Sequence, residues 1–314
     1  MTRYKRLMIK LSGAAMGSGG GIFDKDAIEH IVAEVVSAVD IGAQVVITVG
    51  GGNIFRGNIA ETWNIERAEA DNMGMLGTVI NGVMLRAAIN ARTDTDVRVM
   101  TAIQINQIAE PYIRLRAARH LEKGSIVILV GGIGQPYVTT DYPSVQRALE
   151  LQCDAILAAK HGVDGVYTAD PKKHTDAKRY RSLSYDDVIS QDLRVMDQSA
   201  MLLARDHHLP IHLFNFDKPG CIKAICLGDD VGTYVGPGAA LELVNNSGNE
   251  KYTSSKENNV KQPKLDISEN KIQHKHKDLI RSKFKTYLSN RKTKYKYGVV
   301  KESKSGPGKK SQSE

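Results

Sequence analysis

Three glycine-rich turns follow apolar runs of the sequence, and two of them have a cation nearby. The run "VVITV" leads into Gly50, Gly51 and Gly52, and Arg56 follows four residues later. A turn without side chains lets the backbone approach a ligand closely, and consecutive N–H groups that point outward bind an anion. Arginine adds a permanent charge with a geometry suited to phosphate. The sequence therefore predicts a phosphate site at this turn.

A second turn of this kind is "KLSG", Lys10 to Gly13, at the end of the first apolar run. Lys10 lies between Ile9 and Leu11, so its charge stands at the rim of a predicted buried strand. Glycine turns are common in α/β proteins, and Lys10 could simply extend its ammonium into water. Three such turns together with two cations favour phosphate binding. The P-loop motif GxxxxGK[ST] and the protein-kinase motifs HRD and DFG are absent from the sequence. This excludes a P-loop kinase and a protein kinase.

The third turn, in residues 131–148, combines glycines with the hydroxyls of Thr139 and Thr140 and the carboxylate of Asp141. Amides and hydroxyls suit a phosphate or the edge of a nucleobase, whereas a carboxylate among them would orient a lysine or hold Mg²⁺. The same side chains could instead cap the helix that follows, and Asp197, ahead of a later helix, has the same alternative.

Residues 161–173, "HGVDGVYTADPKK", form a predicted loop rich in Gly and Asp that carries Tyr167 and Asp170. An aromatic ring beside an acidic turn suits a nucleoside base and its ribose hydroxyls.

The elements that must position these residues alternate between strands and helices over the first 235 residues. Apolar runs predict strands over 6–13, 43–50, 96–102, 125–132, 153–159 and 209–216, and three- to four-residue periodicity predicts helices over 24–42, 70–91, 109–124 and 143–152. This alternation predicts an α/β fold, a mostly parallel sheet with helices on both faces. Ligands of such sheets bind beyond the carboxyl ends of the strands, where the glycine turns fall.

The charge of the chain is uneven. Residues 241–314 hold 18 of the 43 Lys and Arg and 8 of the 35 Asp and Glu, so the first 240 residues, with 25 and 27, are mildly acidic. We expect a folded domain over 1–238 and a basic, low-complexity, disordered tail over 239–314. Within the tail, residues 276–292 could form a basic amphipathic helix on an anionic partner, or stay a solvated segment without a defined role.

The three cysteines have no CxxC pairing and no histidine at metal-ligand spacing, which argues against a disulfide framework or a zinc site. No segment reaches the roughly 18 consecutive apolar residues of a membrane span. We therefore expect a cytoplasmic protein without a membrane span.

Taken together, these stretches resemble the bacterial uridylate kinases of the amino acid kinase superfamily. The matching motifs occur between Tyr4 and about Val235, in the same order as in the family. They are YKRLMIKLSG, GGGNIFRG, ADNMGMLGTVINGVMLRAA, QPYVTTD, GVDGVYTADPKK, RVMD and LFNFDKPG. The resemblance implies a three-layer αβα sandwich, the amino acid kinase fold. It also implies a nucleoside monophosphate kinase that transfers the γ-phosphoryl group of ATP to UMP with Mg²⁺, in pyrimidine nucleotide biosynthesis, as a homohexamer built from dimers.

The resemblance also implies roles for individual residues. The ATP site would comprise Lys10, Leu11, Ser12, Gly13, Gly52, Arg56, His161, Tyr167 and Asp170. The UMP site would comprise Gly51, Asp71 as the ribose partner, and Ile133, Gly134, Gln135, Pro136, Tyr137, Val138, Thr139 and Thr140. Catalysis would rest on Lys10, Asp141 and Asp197, with Asp197 orienting Lys10. No metal site of the protein's own is implied, so Mg²⁺ would arrive with ATP.

The sequence departs from the family pattern in four places: Ala14 replaces the Glu of the usual S-G-E-A, His161 stands where Thr or Asn is common, and two further stretches differ. Ile133 and Gln135 replace the Thr and Asn of the usual G-T-G-N-P-F-F-T-T-D, which leaves selectivity for UMP over CMP open. Residues 17–23, "GSGGGIF", replace the G-F-G-I segment tied to GTP activation in some members, which leaves control by GTP or UTP open.

Two alternatives stand beside this interpretation. A superfamily kinase that phosphorylates a carboxylate or a carbamate would need no ribose partner at Asp71. A catalytically weak, nucleotide-binding paralogue with a regulatory role would engage nucleic acid or an anionic surface through its tail. The presence of Lys10, Asp141 and Asp197 argues against the second alternative.

Overall fold

A central sheet runs through the fold, and it is mostly parallel. The computed structural model describes residues 2–17, 21–193 and 195–244, and within them ten strands form one sheet. The strands are β1 (Arg6–Leu11), β2 (Gln44–Val49), β3 (Val97–Thr101), β4 (Glu110–Pro111), β5 (Ile126–Val130), β6 (Ala155–Lys160), β7 (Tyr180–Leu183), β8 (Ile211–Asn215), β9 (Thr233–Val235) and β10 (Glu242–Leu243). Their order is β10-β7-β9-β8-β6-β1-β2-β5-β3-β4, and only β8–β9 and β10–β7 pair antiparallel among these strands.

Helices cover both faces of the sheet. They are α1 (Lys25–Asp40), α2 (Gly57–Thr62), α3 (Arg67–Asn90), α4 (Arg114–Glu122), α5 (Asp141–Glu150), α6 (Tyr185–Ser190), α7 (Gln198–Asp206) and α8 (Cys221–Leu227). Residues of α1, α3 and α8 share one apolar core, and residues of α4 to α7 share the other. The predicted αβα sandwich is therefore confirmed. Among the described residues, no helix combines the length and the apolar character that crossing a bilayer needs.

The alternation of side chains along β1 decides where Lys10 points. Leu7, Ile9 and Leu11 belong to the core under α1, α3 and α8, whereas Met8 belongs to the opposite core. Because strand side chains alternate with a period of two, Lys10 follows Met8 onto the face covered by α5 and α7. In the sheet Lys10 lies beside Thr48 of β2 and Ala158 of β6.

The predicted strands and most of the predicted helices are present, with one correction. A helix was expected from residue 109, but residues 110–111 form β4 and α4 begins only at Arg114. The reason is Pro111, which lacks an N–H and disfavours helical geometry at Glu110. The Tyr112 N–H then bonds to Thr101 O at 2.8 Å, beside β3.

The sheet also continues beyond residue 238, where the sequence suggested a domain boundary. Glu242 and Leu243 pair with Ser182 and Tyr180 of β7. Residues 245–314, the greater part of the predicted tail, lie outside the described residues.

Candidate active site

The carboxyl ends of β1, β2 and β5 open into one cleft of about 630 Å³. This volume lies within the range of about 300–1,000 Å³ that is usual for small-molecule sites. The predicted residues that line it are Lys10, Ser12, Gly13, Gly51, Gly52, Arg56, Asp71, Gln135, Val138, Thr139, Thr140, Asp141 and Asp197. The cleft thus joins predicted ATP-site and UMP-site residues in a single space.

Other predicted residues do not line this cleft. Leu11 is fully buried in the core, so it supports the turn with its backbone. The loop residues Ile133, Gly134, Pro136 and Tyr137 belong to the segment that borders the cleft without forming its wall. His161, Tyr167 and Asp170 follow β6 and are described separately below.

The glycines of the first two turns serve different purposes. A Cβ at Gly13 would lie 2.6 Å from Gly52 N, and a Cβ at Gly51 would collide with Gly74 O of α3. At Gly52, by contrast, a Cβ would have no neighbour within 4 Å. Gly13 and Gly51 are therefore required for the two turns and α3 to pack together. Gly52 leaves its backbone open toward the cleft, where a ligand can approach it.

Helix α3 holds two of the glycine turns through polar side chains on its buried face. Asn81 is fully buried and donates to Gly50 O at 2.7 Å, and Thr78 Oγ1 accepts from Gly131 N at 2.7 Å. A buried backbone polar group needs such a partner, so these contacts fix both turns. Neither residue was predicted. The available signal was a polar side chain at a buried position of an otherwise apolar helix face.

Asp71, near the start of α3, connects that helix to the third glycine turn. Its carboxylate accepts from Arg67 Nε at 3.0 Å and from the Tyr137 backbone N–H at 2.7 Å. Tyr137 has a φ of +66°, a conformation that L-residues rarely adopt. The contact with Asp71 helps to hold the 131–140 loop in this shape.

Lys10 and two carboxylates form a chain of contacts at the floor of the cleft. The Lys10 ammonium lies 2.7 Å from Asp141 Oδ1, and both side chains are largely buried, with 11% and 15% of their surface exposed. The other oxygen of Asp141 accepts from the Asp197 backbone N–H at 3.0 Å, and the Thr139 hydroxyl donates to the Asp197 carboxylate. Lys10 therefore contacts Asp141 and not Asp197, the residue predicted to orient it, and Asp197 lies one contact further along the chain of contacts.

The capping alternative is supported in part, because Thr139 Oγ1 accepts from the Asp141 N–H at 3.1 Å, at the start of α5. Thr140 and Asp197 occupy the N-cap positions of α5 and α7, but the side chain of neither forms a capping hydrogen bond. Both residues line the cleft.

Lys160, at the end of β6, is a further cation beside this chain of contacts and was not predicted. Its ammonium donates to Val195 O at 2.8 Å. Burial lowers the pKa of Lys160, the nearby Lys10 charge lowers it further, and the carboxylates of Asp141 and Asp197 oppose both effects. Asp141, Lys160 and Asp197 also line a second cavity of about 320 Å³, next to the first.

Arg56 lies at the mouth of the cleft. Its Nε donates to Gly52 O at 2.6 Å, so the guanidinium lies close to the turn predicted to bind phosphate. The remaining N–H donors of its fork have the geometry to bind an oxyanion.

The loop after β6 is more exposed and forms its own contacts. His161 Nδ1 lies 2.6 Å from Asp217 Oδ1, and the Tyr167 hydroxyl donates to Asp164 at 2.6 Å. Burial opposes ionisation of Asp217, but hydrogen bonds from the Gly162 N–H and the His161 side chain hold its pKa below the usual value. Asp170 is exposed and accepts from the Lys172 backbone N–H at 3.0 Å.

The donor set does not suit a metal site built by the protein alone. No group of three or more His, Cys, Asp or Glu in the described part of the chain is arranged to hold an ion. Asp141 is already occupied by Lys10. Mg²⁺ is typically bound by one or two carboxylates together with substrate phosphates, and that arrangement remains compatible with this cleft.

Comparison with known proteins identifies the family of this chain. A model of the amino acid kinase family matches residues 5–215. A uridylate kinase of Frankia alni is 55% identical over 236 residues, which cover 75% of this chain and 92% of that protein. The chain therefore belongs to the amino acid kinase family and, within it, to the uridylate kinases.

Solved structures support the same assignment. The UMP kinase of Bacillus anthracis superposes with a TM-score of 0.76 at 58% identity and covers 77% of this chain and 99% of its own. The UMP kinase of Ureaplasma parvum superposes with a TM-score of 0.71 at 34% identity and covers 75% and 100%.

Proposed function

We propose that this chain transfers the γ-phosphoryl group of ATP to UMP and releases ADP and UDP, as a step of pyrimidine nucleotide biosynthesis. The observation that carries this proposal is the single cleft in which Lys10, the glycine turns and Asp71 line one space. Two phosphate-bearing substrates can meet there, because the amides and the lysine are grouped at one edge of the sheet. The relatives described above are a uridylate kinase and a UMP kinase, which agrees with this acceptor.

The chemistry requires positioning and charge stabilisation more than covalent work by the protein. Lys10, which contacts Asp141 at 2.7 Å, would stabilise the charge of the transferred phosphoryl group. The amide of Gly52 and the guanidinium of Arg56 would bind the phosphates of ATP at the mouth. A phosphate oxygen of UMP is already a nucleophile, so no side chain needs to act as a general base.

The acceptor would lie between α3 and the 131–140 loop. Asp71 would accept from the ribose hydroxyls, and the backbone of residues 133–140 would line the pyrimidine. Ile133 carries no hydrogen-bonding side chain. Recognition of uracil would therefore depend on backbone groups and on Gln135, which lines the cleft.

Mg²⁺ is proposed as part of the Mg·ATP substrate. It would neutralise the triphosphate, and Asp197, which lines the cleft, would help to hold it. The basis is the donor set described above, in which the described residues form no cage of their own.

We also propose a cytoplasmic homohexamer assembled from dimers. Leu76 and Ile80, one turn apart on α3, are 48% and 49% exposed, and an exposed apolar stripe of this kind is typical of a subunit interface. All three cysteines are buried thiols, which suits a reducing compartment. Light scattering coupled to size-exclusion chromatography will measure the mass, and a monomer at micromolar concentration would contradict the hexamer.

A coupled assay of ADP release with a panel of nucleoside monophosphates tests the function. We expect turnover with UMP and Mg·ATP, weaker turnover with CMP, and loss of activity when Mg²⁺ is chelated. Turnover of a carboxylate or carbamate acceptor without UMP would favour the other superfamily kinases. An enzyme inactive with every acceptor would indicate a binding protein. Adding GTP and UTP in turn will test effector control.

A further inference from the structure

Two carboxylates and one paired lysine leave an electrostatic problem at the floor of the cleft. Asp141 pairs with Lys10 at 2.7 Å, and Asp197 contributes a second negative charge to the same chain of contacts. Lys10, Asp141 and Asp197 together have one positive and two negative formal charges, a formal net charge of −1. A triphosphate approaching such a site would be repelled.

The positive charge of Lys160 balances the excess negative charge of Asp141 and Asp197. It ends β6, the strand directly beside β1, and lies with both carboxylates on the wall of the second cavity of about 320 Å³. The same wall carries the apolar side chains of Leu193 and Met196, which reduce screening by water. The four charges then sum to zero, and Lys10 keeps its capacity to attract a phosphate.

Lys160 also holds the segment that carries Asp197. Its ammonium donates to Val195 O at 2.8 Å, two residues before Asp197. The Asp197 N–H in turn bonds to Asp141, and Asp141 bonds to Lys10. The Lys160 backbone is itself fixed in the sheet, where its carbonyl accepts from Phe216 N at 2.8 Å. A strand end fixed in the sheet thus anchors the loop that leads into α7.

We propose that Lys160 is a positioning residue for the phosphoryl transfer: it anchors the Val195–Asp197 segment and supplies the positive charge that balances Asp141 and Asp197 beside Lys10. The inference rests on the proposed kinase function. Its effect should be concentrated on the ATP side, since the UMP contacts at Asp71 belong to α3, on the other face of the sheet.

The test compares K160M, K160Q and K160R with the full-length enzyme, and K223M serves as the matched control because Lys223 is an exposed lysine of α8. We expect K160M to lower kcat about 100-fold and to raise the KM for ATP, with the KM for UMP nearly unchanged. K160Q keeps a donor for Val195 O but loses the charge, so it should fold with the wild-type Tm and still lose about tenfold in kcat. K160R should recover most of the activity, and K223M should match the wild type.

The result that would overturn the inference is wild-type kcat and KM for ATP in both K160M and K160Q. An equal defect in K160R and K160M, with the Tm of both lowered, would show that the side chain merely fills space. Direct titration with Mg·ATP in the absence of acceptor separates this inference from the function itself. If the wild type phosphorylates no monophosphate, the proposed function fails, while weaker ATP binding by K160M would still support the role of Lys160.

Discussion

The two halves of the sheet differ in how their loops are built. The first half consists of β1, β2, β5, β3 and β4, and the second half of β6, β8, β9, β7 and β10. The first half of the sheet is parallel throughout, so its strands end at a common edge. Its glycine turns meet there and are held by the buried Asn81 and Thr78 of α3. The second half contains two antiparallel pairs, and its loop at 161–179 is largely exposed.

The two halves therefore offer different kinds of site. The first presents a cleft that is already formed, because packing of Gly13 and Gly51 leaves the turns little freedom. The second presents a loop stabilised by local contacts, such as the bridge between Tyr167 and Arg179. The proposed phosphate site lies where the halves meet, at Lys10 of β1 and Lys160 of β6. Substitutions should thus cost most at this junction and least in the exposed loop.

The largest effect is expected at the junction, from K10M. Loss of the ammonium removes the charge that stabilises the transferred phosphoryl group, so kcat should fall at least about 1,000-fold. It also leaves Asp141 without its partner, so the melting temperature should be measured alongside the kinetics. K5M, at an exposed lysine one residue before β1, is the control. Retention of more than a tenth of the activity by folded K10M would remove Lys10 from the mechanism.

The next largest effect is expected from a substitution at Asp71, in the first half of the molecule. D71N keeps the shape of the side chain but weakens its contacts with Tyr137 N and with a ribose, so the KM for UMP should rise about 100-fold. The KM for ATP should change little. E69Q, at an exposed carboxylate of the same helix turn, should match the wild type. An equal rise in both KM values would mean that the acceptor does not lie in this half, as expected for a kinase of carboxylates.

The sequence was sufficient to predict β1, β2, β3 and β5 and to propose a chemistry for the first half, whereas β4 was predicted as part of a helix. Apolar runs that end in glycine mark strand ends, and a lysine between Ile9 and Leu11 is conspicuous because its strand is otherwise apolar. The resemblance of its sequence motifs to those of the family then implied which residues bind each of the two substrates. Because parallel strands end at a common edge of the sheet, turns that are distant in the sequence could be predicted to lie close together.

The pairing of charges could not be predicted in the same way. Whether Lys10 meets Asp141 or Asp197 depends on how α5 and α7 pack on β1, which is a matter of tertiary contacts and not of local pattern. Lys160 carried no signal because a lysine at the end of a predicted strand is ordinarily solvated. Asn81 and Thr78 are polar residues in a long helix, and only burial reveals that they hold the turns.

A stability effect of intermediate size is expected in the second half, at His212 of β8. This histidine is buried against Tyr4, whose hydroxyl lies 2.7 Å from its Nε2, and burial lowers the pKa of His212 to about 3. The unfolded chain binds a proton near pH 6.5, so stability is complete above that pH and is lost as pH falls toward 3. Between pH 7 and pH 5 the loss from this group should be about 2 kcal/mol.

Urea unfolding of the wild type and H212Q at both pH values measures this loss. H212Q cannot take up the proton, so its free energy of unfolding should fall less between pH 7 and pH 5. H207Q, at an exposed histidine, should behave as the wild type does. If H212Q and the wild type lose the same free energy, acid sensitivity does not reside in this part of the sheet.

The smallest effect is expected in the exposed loop, from D170N. Asp170 accepts from the Lys172 N–H and has no buried partner among the described residues, so the substitution should leave the Tm unchanged. Loss of a carboxylate acceptor for the ATP ribose should raise the KM for ATP about tenfold, or about 1.4 kcal/mol, with kcat and the KM for UMP preserved. D176N, at another exposed aspartate of this loop, is the matched control. A rise in the KM for UMP instead would reverse the assignment of the two halves, because a loop of the second half would then be serving the acceptor. A drop in kcat of the size expected for K10M would show that the loop closes over the reacting groups, and that the exposed half of the sheet takes a direct part in the transfer.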